Sequence, residues 1–311
     1  QKKIDFNNLG LVIIDEQHKF GVKQRINFAK KGGENCDVLL MSATPIPRTM
    51  MMSIYGDMDT SKITEKPINR DLIKTLSKPE NKIEEVWPFI ERKIDQGEQI
   101  FWVCPLIEDS KKLDYSSTLK KFKIISKKFP KKVGFIHGAL SSDEKEKALK
   151  QFLNKEILIL VSTTVIEVGI DFPNATVIVI ENANKFGLAQ LHQLRGRVGR
   201  GKKSGTCILL FKNQLSQNAR KRINILKKSN DGFYIAEEDM KLRGFGDIIG
   251  FKQSGIKYFK IADPIHHEYL FKMAEVNIKN MDEEMLNNTK FNLLLRLFDK
   301  VDLIDEEGTP S

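Results

Sequence analysis

The sequence predicts an α/β protein of tandem parallel-sheet lobes, the first incomplete and the second whole, followed by a helical hairpin and further C-terminal helices. Three observations carry this reading. Short apolar strand candidates alternate with amphipathic segments through the first two thirds of the 311 residues, the pattern of parallel strands joined by crossover helices. The candidates fall into two blocks separated by the polar stretch TEKPINR at 64–70. After Phe211 the strands stop and helical spacing takes over, broken by the glycine-rich run RGFGDIIGFKQSGIK at 243–257. Residues 1–70 then form the C-terminal part of a first lobe, 71–213 a second lobe, 214–262 a helical hairpin and loop, and 263–311 C-terminal helices and tail.

The first block offers strands around 10–14 and 37–41. The run LVIIDEQHKFG at 11–21 is an unbroken apolar strand, as buried parallel strands are, ending in two adjacent carboxylates, Asp15 and Glu16. In open α/β sheets ligands bind beyond the strand carboxyl ends. One carboxylate there holds Mg²⁺ through its waters while its neighbour orients or deprotonates an attacking water. A strand meeting a polar loop reads the same way with no chemistry attached. The second strand, DVLLM, runs into Ser42-Ala43-Thr44-Pro45, placing small hydroxyls near the acid pair. Taken singly, this is an ordinary strand-to-turn junction with Pro45 and Pro47 as breakers.

The second block offers strands near 99–104, 133–136, 157–162, 176–181 and 206–211. Ile83, Val86, Trp87, Ile90 and Ile94 mark one face of a helix that Gly97 ends, and Ser141 with Glu144 forms a capping box. In ILILVSTTVIEVGIDFP, Ser162, Thr163 and Thr164 stand at a strand end, ahead of Gly169 and Asp171. Hydroxyl and backbone donors there suit phosphate oxygens, and an ST-rich helix cap would use the same residues.

The most specific element is QLRGRVGRG, where Gln193, Gly196, Arg197 and Arg200 fit a Q-x-x-G-R-x-x-R spacing on a predicted helix. Positions three apart share a helix face, so Arg197 and Arg200 are expected to project together, as guanidinium groups must to stabilise a γ-phosphoryl transition state. Glycines interleaved with arginines are poor choices for a merely solvated helix. The cluster Arg195, Arg197 and Arg200, in a chain whose basic residues are mostly lysine, points to the guanidinium fork rather than to charge alone. Residues 196–203 imitate a phosphate-binding loop, but Lys203 holds the Ser/Thr position and no strand runs into the segment. No Walker A sequence occurs elsewhere in the 311 residues.

Further on, Asp263 and Pro264 read as the start of another helix, FNLLLRLF as an apolar docking stretch and 299–311 as a loose tail. His266 and His267 are adjacent, diverge on a helix and are expected to hold no metal. The formal charge of +10 favours a polyanionic partner such as nucleic acid. No run of eighteen apolar residues and no signal peptide is present, so no membrane association is expected. Cys36, Cys104 and Cys207 are scattered singly, which predicts neither disulfides nor zinc and makes a reducing cytoplasm the expected compartment. Gln1 opens the chain and a strand follows almost at once, as in a piece of something longer.

In order, DEQH (15–18), SAT (42–44), the STT…VGID segment and QLRGRVGR resemble motifs II, III, V and VI of superfamily-two helicases, with the two blocks as tandem RecA-like lobes. The surrounding stretches DEQHKFGVKQR, SATPIPRTMMMSIYGDMD, VCPLIEDS, FGLAQLHQLRGRVGRG and SNDGFYIAEEDMKLRGFGDIIGFKQSG resemble the RecG family of fork-remodelling DNA translocases over 9–262. The resemblance implies ATP and Mg²⁺ as cofactors. It implies that Asp15, with Glu16, holds Mg²⁺ through water, that Glu16 activates water, and that His18 links nucleotide state to coupling. Ser42 and Thr44 would couple hydrolysis to DNA, and Ser162, Thr163 and Thr164 would contact DNA. Gly169 and Asp171 would face the nucleotide, Gln193 and Arg197 would approach the γ-phosphate, and Arg200 would be the finger. Arg222, Arg243 and Gln253 match the arginines and loop glutamine of the family's translocation hairpin.

Branched or double-stranded DNA is the implied partner, with a monomeric chain in the bacterial cytoplasm, at the nucleoid. The Walker A lysine and the family's N-terminal wedge domain are absent from these 311 residues, so this polypeptide alone is expected to show no DNA-stimulated ATPase while its parent hydrolyses ATP. Two other readings stay open: the translocase module of a transcription-repair coupling factor, and a non-catalytic DNA-binding remnant.

Overall fold

The computed structural model describes residues 9–16, 36–42, 61–65, 71–105, 111–163, 172–201, 203–243, 267–282 and 288–297. The chain divides into two compact units, one of residues 1–46 and 61–242, the other of 47–60 and 243–311. In the first unit, β1 (Leu11–Ile14) and β2 (Asp37–Leu40) pair in parallel, Leu11 opposite Asp37 and Ile14 opposite Leu40. Only Ile14 of β1 is buried; Leu11, Ile13 and Leu39 are exposed. The apolar run predicts burial on both faces, but among the described residues two strands pair here and no helix lies over them.

The second block forms a six-stranded, wholly parallel sheet in the order β3-β8-β7-β4-β6-β5. Its strands are β3 (Lys74–Pro79), β4 (Gln99–Val103), β5 (Val133–Ile136), β6 (Ile159–Ser162), β7 (Ala175–Ile180) and β8 (Thr206–Phe211). Five of the six stand where apolar runs predict them. The sixth, β3, has the sequence KTLSKP and no apolar run. Among the described residues it is an edge strand, paired with β8, where lysines and a terminal proline are tolerated.

Period-two alternation builds two cores, one on each face of the sheet. Phe101, Val103, Leu160, Ile178, Ile180 and Leu209 point to one. Ile100, Trp102, Ile159, Val161, Val177, Val179, Ile208 and Leu210 point to the other. Helices α1 (Trp87–Asp95) and α2 (Lys111–Lys128) cover the second face through Trp87, Ile90, Ile94 and Ile125. Helices α3 (Ser142–Leu153), α4 (Leu188–Arg195) and α5 (Gln217–Lys228) cover the first through Phe152, Leu188, Leu191, Leu194, Ile223 and Leu226.

The predicted punctuation is present. Gly97, at φ 68, follows α1, and Ser141 with Glu144 closes a complete capping box on α3. Trp87 stacks on Trp102 with ring centroids 5.0 Å apart, locking α1 to β4. Helix α6 (Gly232–Arg243) follows α5 after three residues. In the second unit, α7 (Glu268–Lys279) and α8 (Thr289–Leu297) are described; Asp263, Pro264 and the tail lie outside the described residues. Among the described residues no helix is long and apolar enough to cross a membrane.

One buried carboxylate sits at the carboxyl end of β7. Glu181 accepts from Trp102 Nε1 at 2.9 Å and pairs with Lys121 Nζ at 2.7 Å. Burial nevertheless pushes its acid strength down, holding the pKa above the usual carboxylate range despite Lys121 and Trp102. The folded state therefore binds this proton more tightly than the unfolded chain, so the stabilising contribution is largest at acid pH and is lost as pH rises through the raised value. Compared with Glu181→Gln, which cannot titrate, the unsubstituted chain should gain relative thermal stability as pH falls from about 7 to about 5. Melting curves of both proteins over that range check the sign.

Candidate functional site

The acid pair sits where the sequence puts it, immediately past β1. Glu16 adopts a left-handed backbone (φ 49), unusual for a residue with a Cβ, and its N–H donates to Asp15 Oδ1 at 2.8 Å. The turn leaves Asp15 exposed and Glu16 half-buried. The β2 ladder continues past its last residue, Met41 N–H donating to Ile14 C=O at 2.8 Å, so Ser42 emerges at the same end of the same strand pair. Carboxylate and hydroxyl oxygens are the hard donors that Mg²⁺ takes, so this end fits that ion chemically. His18 and Thr44 lie outside the described residues.

In the second lobe the predicted residues divide between opposite ends of the sheet. Ser162 and Thr163 close β6 at its carboxyl end, fully buried, and neither hydroxyl has a hydrogen-bond partner among the described residues. Buried hydroxyls left this way are uncommon. Thr164, Gly169 and Asp171 lie outside the described residues.

The arginine segment occupies the other end. Helix α4 runs back alongside the sheet, burying Leu188, Leu191 and Leu194, and Gln193 is half-buried on it. Contrary to the sequence expectation, the helix does not carry Arg197 and Arg200. It ends at Arg195 with Gly196 as C-cap, and the chain turns through Arg197 N–H to Leu194 C=O at 3.0 Å and Val198 N–H to Arg195 C=O at 3.4 Å.

The cause of this early ending is the glycines. Gly199, at φ 68, donates to Ala175 C=O at 3.0 Å, and a Cβ there would lie 2.8 Å from Gly205 N. A Cβ on Gly201 would lie 2.3 Å from the Pro173 carbonyl. The segment is thus pressed against the chain entering β7 and β8, a path only glycine permits. Arg200 Nε returns to Gly196 C=O at 3.0 Å, and Lys203 pairs with the buried Glu98 at 3.0 Å, pinning the far side of the loop to the start of β4. Arg197 and Arg200 therefore share a tight turn rather than a helix face, at the amino end of the sheet.

Two further arginines join this segment to α5. Arg195 is 2% exposed. Its Nη1 donates to Leu226 C=O at 2.7 Å, Ser229 C=O at 2.8 Å and Thr75 Oγ1 at 3.4 Å. Its Nη2 contacts His192 Nδ1 at 3.0 Å, and since a guanidinium has only donors the imidazole nitrogen accepts. Burial lowers the Arg195 pKa and pushes the neighbouring Cys207 thiol up to about 12. In the reverse direction Arg222, on α5, donates to Phe186 C=O at 2.6 Å and Asn184 C=O at 3.2 Å, in the connection leading into α4. The sequence singled out Arg222; Arg195 was legible only as part of an arginine cluster, since its partners are backbone carbonyls that no motif encodes. Arg243 closes α6, and Gln253 lies outside the described residues.

Residues 81–202 match the family model for the helicase conserved C-terminal domain, and residues 229–298 match that for ATP-dependent DNA helicase RecG, domain 3, C-terminal. The chain is 44% identical over 283 residues to the ATP-dependent DNA helicase RecG of Bacillus subtilis (strain 168), covering 90% of this chain and 41% of that protein. The chain is homologous to RecG. The RecG of Thermotoga maritima is 46% identical over 286 residues, covering 91% of this chain and 36% of that protein. A solved structure of RecG bound to a three-way DNA junction superposes with a TM-score of 0.65 at 42% identity, over 87% of this chain and 34% of that one. The chain thus spans about two fifths of the length of the curated relatives it matches. Ser162, Thr163, Gln193, Arg197 and Arg200 all fall inside the helicase match, and Ser229, whose carbonyl receives Arg195, is the first residue of the RecG-specific match.

Removing the Arg195 fork strands one buried and one part-buried carbonyl, so Arg195→Ala should lower unfolding free energy by about 3 kcal/mol. Gly199→Ala should lower it by about 2 kcal/mol through the left-handed backbone and the Gly205 contact. Urea unfolding of the two variants measures both.

Proposed function

We propose that this chain is the nucleotide-closing and coupling part of an ATP-dependent DNA translocase of the RecG type, acting on branched or double-stranded DNA at stalled replication forks. The observation that carries the proposal is the reciprocal arginine clamp. Arg195 ties the arginine turn to the end of α5, and Arg222 ties α5 to the entry of α4. A residue set that merely hydrolysed a nucleotide has no use for such a link. A motor does, because the turn that senses phosphate must move helices that engage DNA.

In this mechanism Glu16 orients the attacking water and accepts its proton, held in place by its left-handed turn. When bound, Mg²⁺ supplies charge neutralisation at the phosphate oxygens of ATP, and Asp15 is the residue that would hold it through water. Gln193 and Arg197 approach the γ-phosphate, and Arg200 stabilises the charge that spreads over it in the transition state. Ser42 and Thr44, with His18, pass the nucleotide state to the DNA side, and Gly169 and Asp171 face the nucleotide. Ser162, Thr163 and Thr164 offer hydroxyls to the DNA backbone at the opposite end of the sheet, and Arg222, Arg243 and Gln253 carry lobe closure to the translocating segment. The parent protein acts as a monomer in the cytoplasm, at the nucleoid. The match of residues 229–298 to a RecG domain favours this reading over a transcription-repair coupling factor. The acid pair and arginine turn favour it over a remnant that only binds DNA, which needs no carboxylates.

In the parent protein, Arg200→Ala should lower DNA-stimulated kcat by about a thousandfold or more, the usual worth of such a finger. Arg222→Ala should leave ATP turnover largely intact while abolishing duplex translocation, read as displacement of a third strand from a triplex. Retained turnover in Arg200→Ala overturns the proposal. The 311-residue polypeptide alone, which contains no GxxxxGK[ST] segment, should show no DNA-stimulated ATPase. Turnover by that polypeptide, abolished by Arg200→Ala, would contradict this.

A further inference from the structure

Between Asp114 and Asp143 the chain has no acidic residue, and the thirteen positions from Lys120 to Lys132 hold seven lysines. The fold separates those with structural work from those without. Lys121 pairs with Glu181 at 2.7 Å, and Lys128 reaches Glu91 at 3.7 Å while lying over the Trp87 ring at 5.3 Å. Lys120, Lys123, Lys127, Lys131 and Lys132 are exposed, and among the described residues no carboxylate pairs with them. The first three recur at helical spacing on α2, whose buried side carries Ile125. Lys131, in a left-handed conformation (φ 62), and Lys132 continue the row around the turn into β5.

An ordinary solvated helix interleaves its signs, and α3 in the same lobe does so, with Asp143, Glu144 and Glu146 among Lys145, Lys147 and Lys150, and a Lys150–Glu146 pair at 2.7 Å. Helix α2 beyond Asp114 lacks that compensation. From Lys120 to Lys128 the helix rises about 12 Å. Duplex DNA presents about seven phosphate charges over that distance. The row begins at the carboxyl end of the sheet, where Lys121 meets Glu181, and runs away from the strand-end donors toward the amino end. Helix α2 leaves β4 at its carboxyl end and returns to the amino end of β5, whereas Ser162 and Thr163 close β6 at the carboxyl end.

We infer that the lysine row of α2 and the α2–β5 turn is a second contact for duplex DNA, holding backbone phosphates without reading sequence while the strand-end hydroxyls engage the tracked duplex. This inference rests on the translocase reading above. Lysine is the fitting residue, because a compact ammonium on a flexible stem neutralises phosphates without demanding a fixed geometry. A branched substrate has arms to spare for such a contact.

The test uses the full-length parent protein with Lys120, Lys123, Lys127, Lys131 and Lys132 changed together to Gln, and a second variant with the same five changed to Arg. Affinity for a linear blunt duplex is measured by fluorescence anisotropy across a salt series. Each phosphate contact contributes about 0.9 to the slope of log K against log salt, so the Gln variant, with five lysines neutralised, should lose about 4.5 from that slope and about tenfold or more in affinity at low salt. The Arg variant should keep both. If the Gln variant keeps the slope and affinity of a parent that shows normal DNA-stimulated ATPase, the second contact is overturned and the translocase reading stands. Equal loss in the Arg variant overturns it too, since charge would then not be the cause. A parent that neither binds duplex nor hydrolyses ATP overturns both.

Discussion

The arrangement of the second lobe depends on one buried cation. Arg195 brings a positive charge into the interior with no carboxylate partner among the described residues; beside it lie the Nδ1 of His192, which accepts from its Nη2, and the Cys207 thiol, which burial keeps protonated. Desolvating a guanidinium is costly, and only several good acceptors offset it. The acceptors are the carbonyls of Leu226 and Ser229, in the last turn and at the C-cap of α5, where the helix dipole already favours a cation. The end of α4 and the end of α5 are therefore joined by charge as well as by the packing of Leu194 and Leu226 in one core. Arg222 repeats the device in reverse at the other end of α4.

That link explains why the arginine turn has so little freedom. Its backbone is fixed on one side by the donation from Gly199 to Ala175 and on the other by Lys203 on Glu98. The strand-end hydroxyls of β6 sit at the opposite end of strands about 13–20 Å long. The two ends are joined by elements that run the length of the sheet. Helices α4 and α5 do so, and they are the pair that the two arginines fasten together.

Much of this was legible in the residues. Apolar runs at β4, β6, β7 and β8 could hardly be anything but central strands, and the Ser141–Glu144 box and Gly97 marked helix ends by local chemistry alone. The edge strand β3 escaped because its identity lies in its partner β8 rather than in its own polar sequence. Three-residue spacing predicts a helix running through QLRGR to Arg200, but the helix stops at Arg195. Gly196, Gly199 and Gly201 say instead that the backbone must turn, and the crowding that requires them comes from Pro173 and Gly205, which only the fold brings close. The importance of Arg195 was invisible for the same reason: a side chain whose partners are main-chain carbonyls leaves no pattern in sequence.

Net charge is a blunt quantity until the fold distributes it. No acidic residue occurs at 115–142 or at 182–230, the stretches that carry the lysine row, the arginine turn and α5. Acids do reach these stretches, but from inside. Glu98, before β4, and Glu181, after β7, are both buried, and each takes one lysine from an acid-free stretch, Lys203 and Lys121 respectively. Burial pulls both carboxyls toward the neutral form. At Glu98, bonds from Thr176, Lys93 and Lys203 overcome that pull and hold the pKa low, whereas at Glu181 burial prevails. Acid placed there staples loops to the sheet without neutralising the surface. The same carboxylates on the outer faces of α2 or α5 would cancel the positive potential that a polyanion meets. Keeping them inside leaves the exposed lysines of α2 and α5 without acidic neighbours from their own stretches.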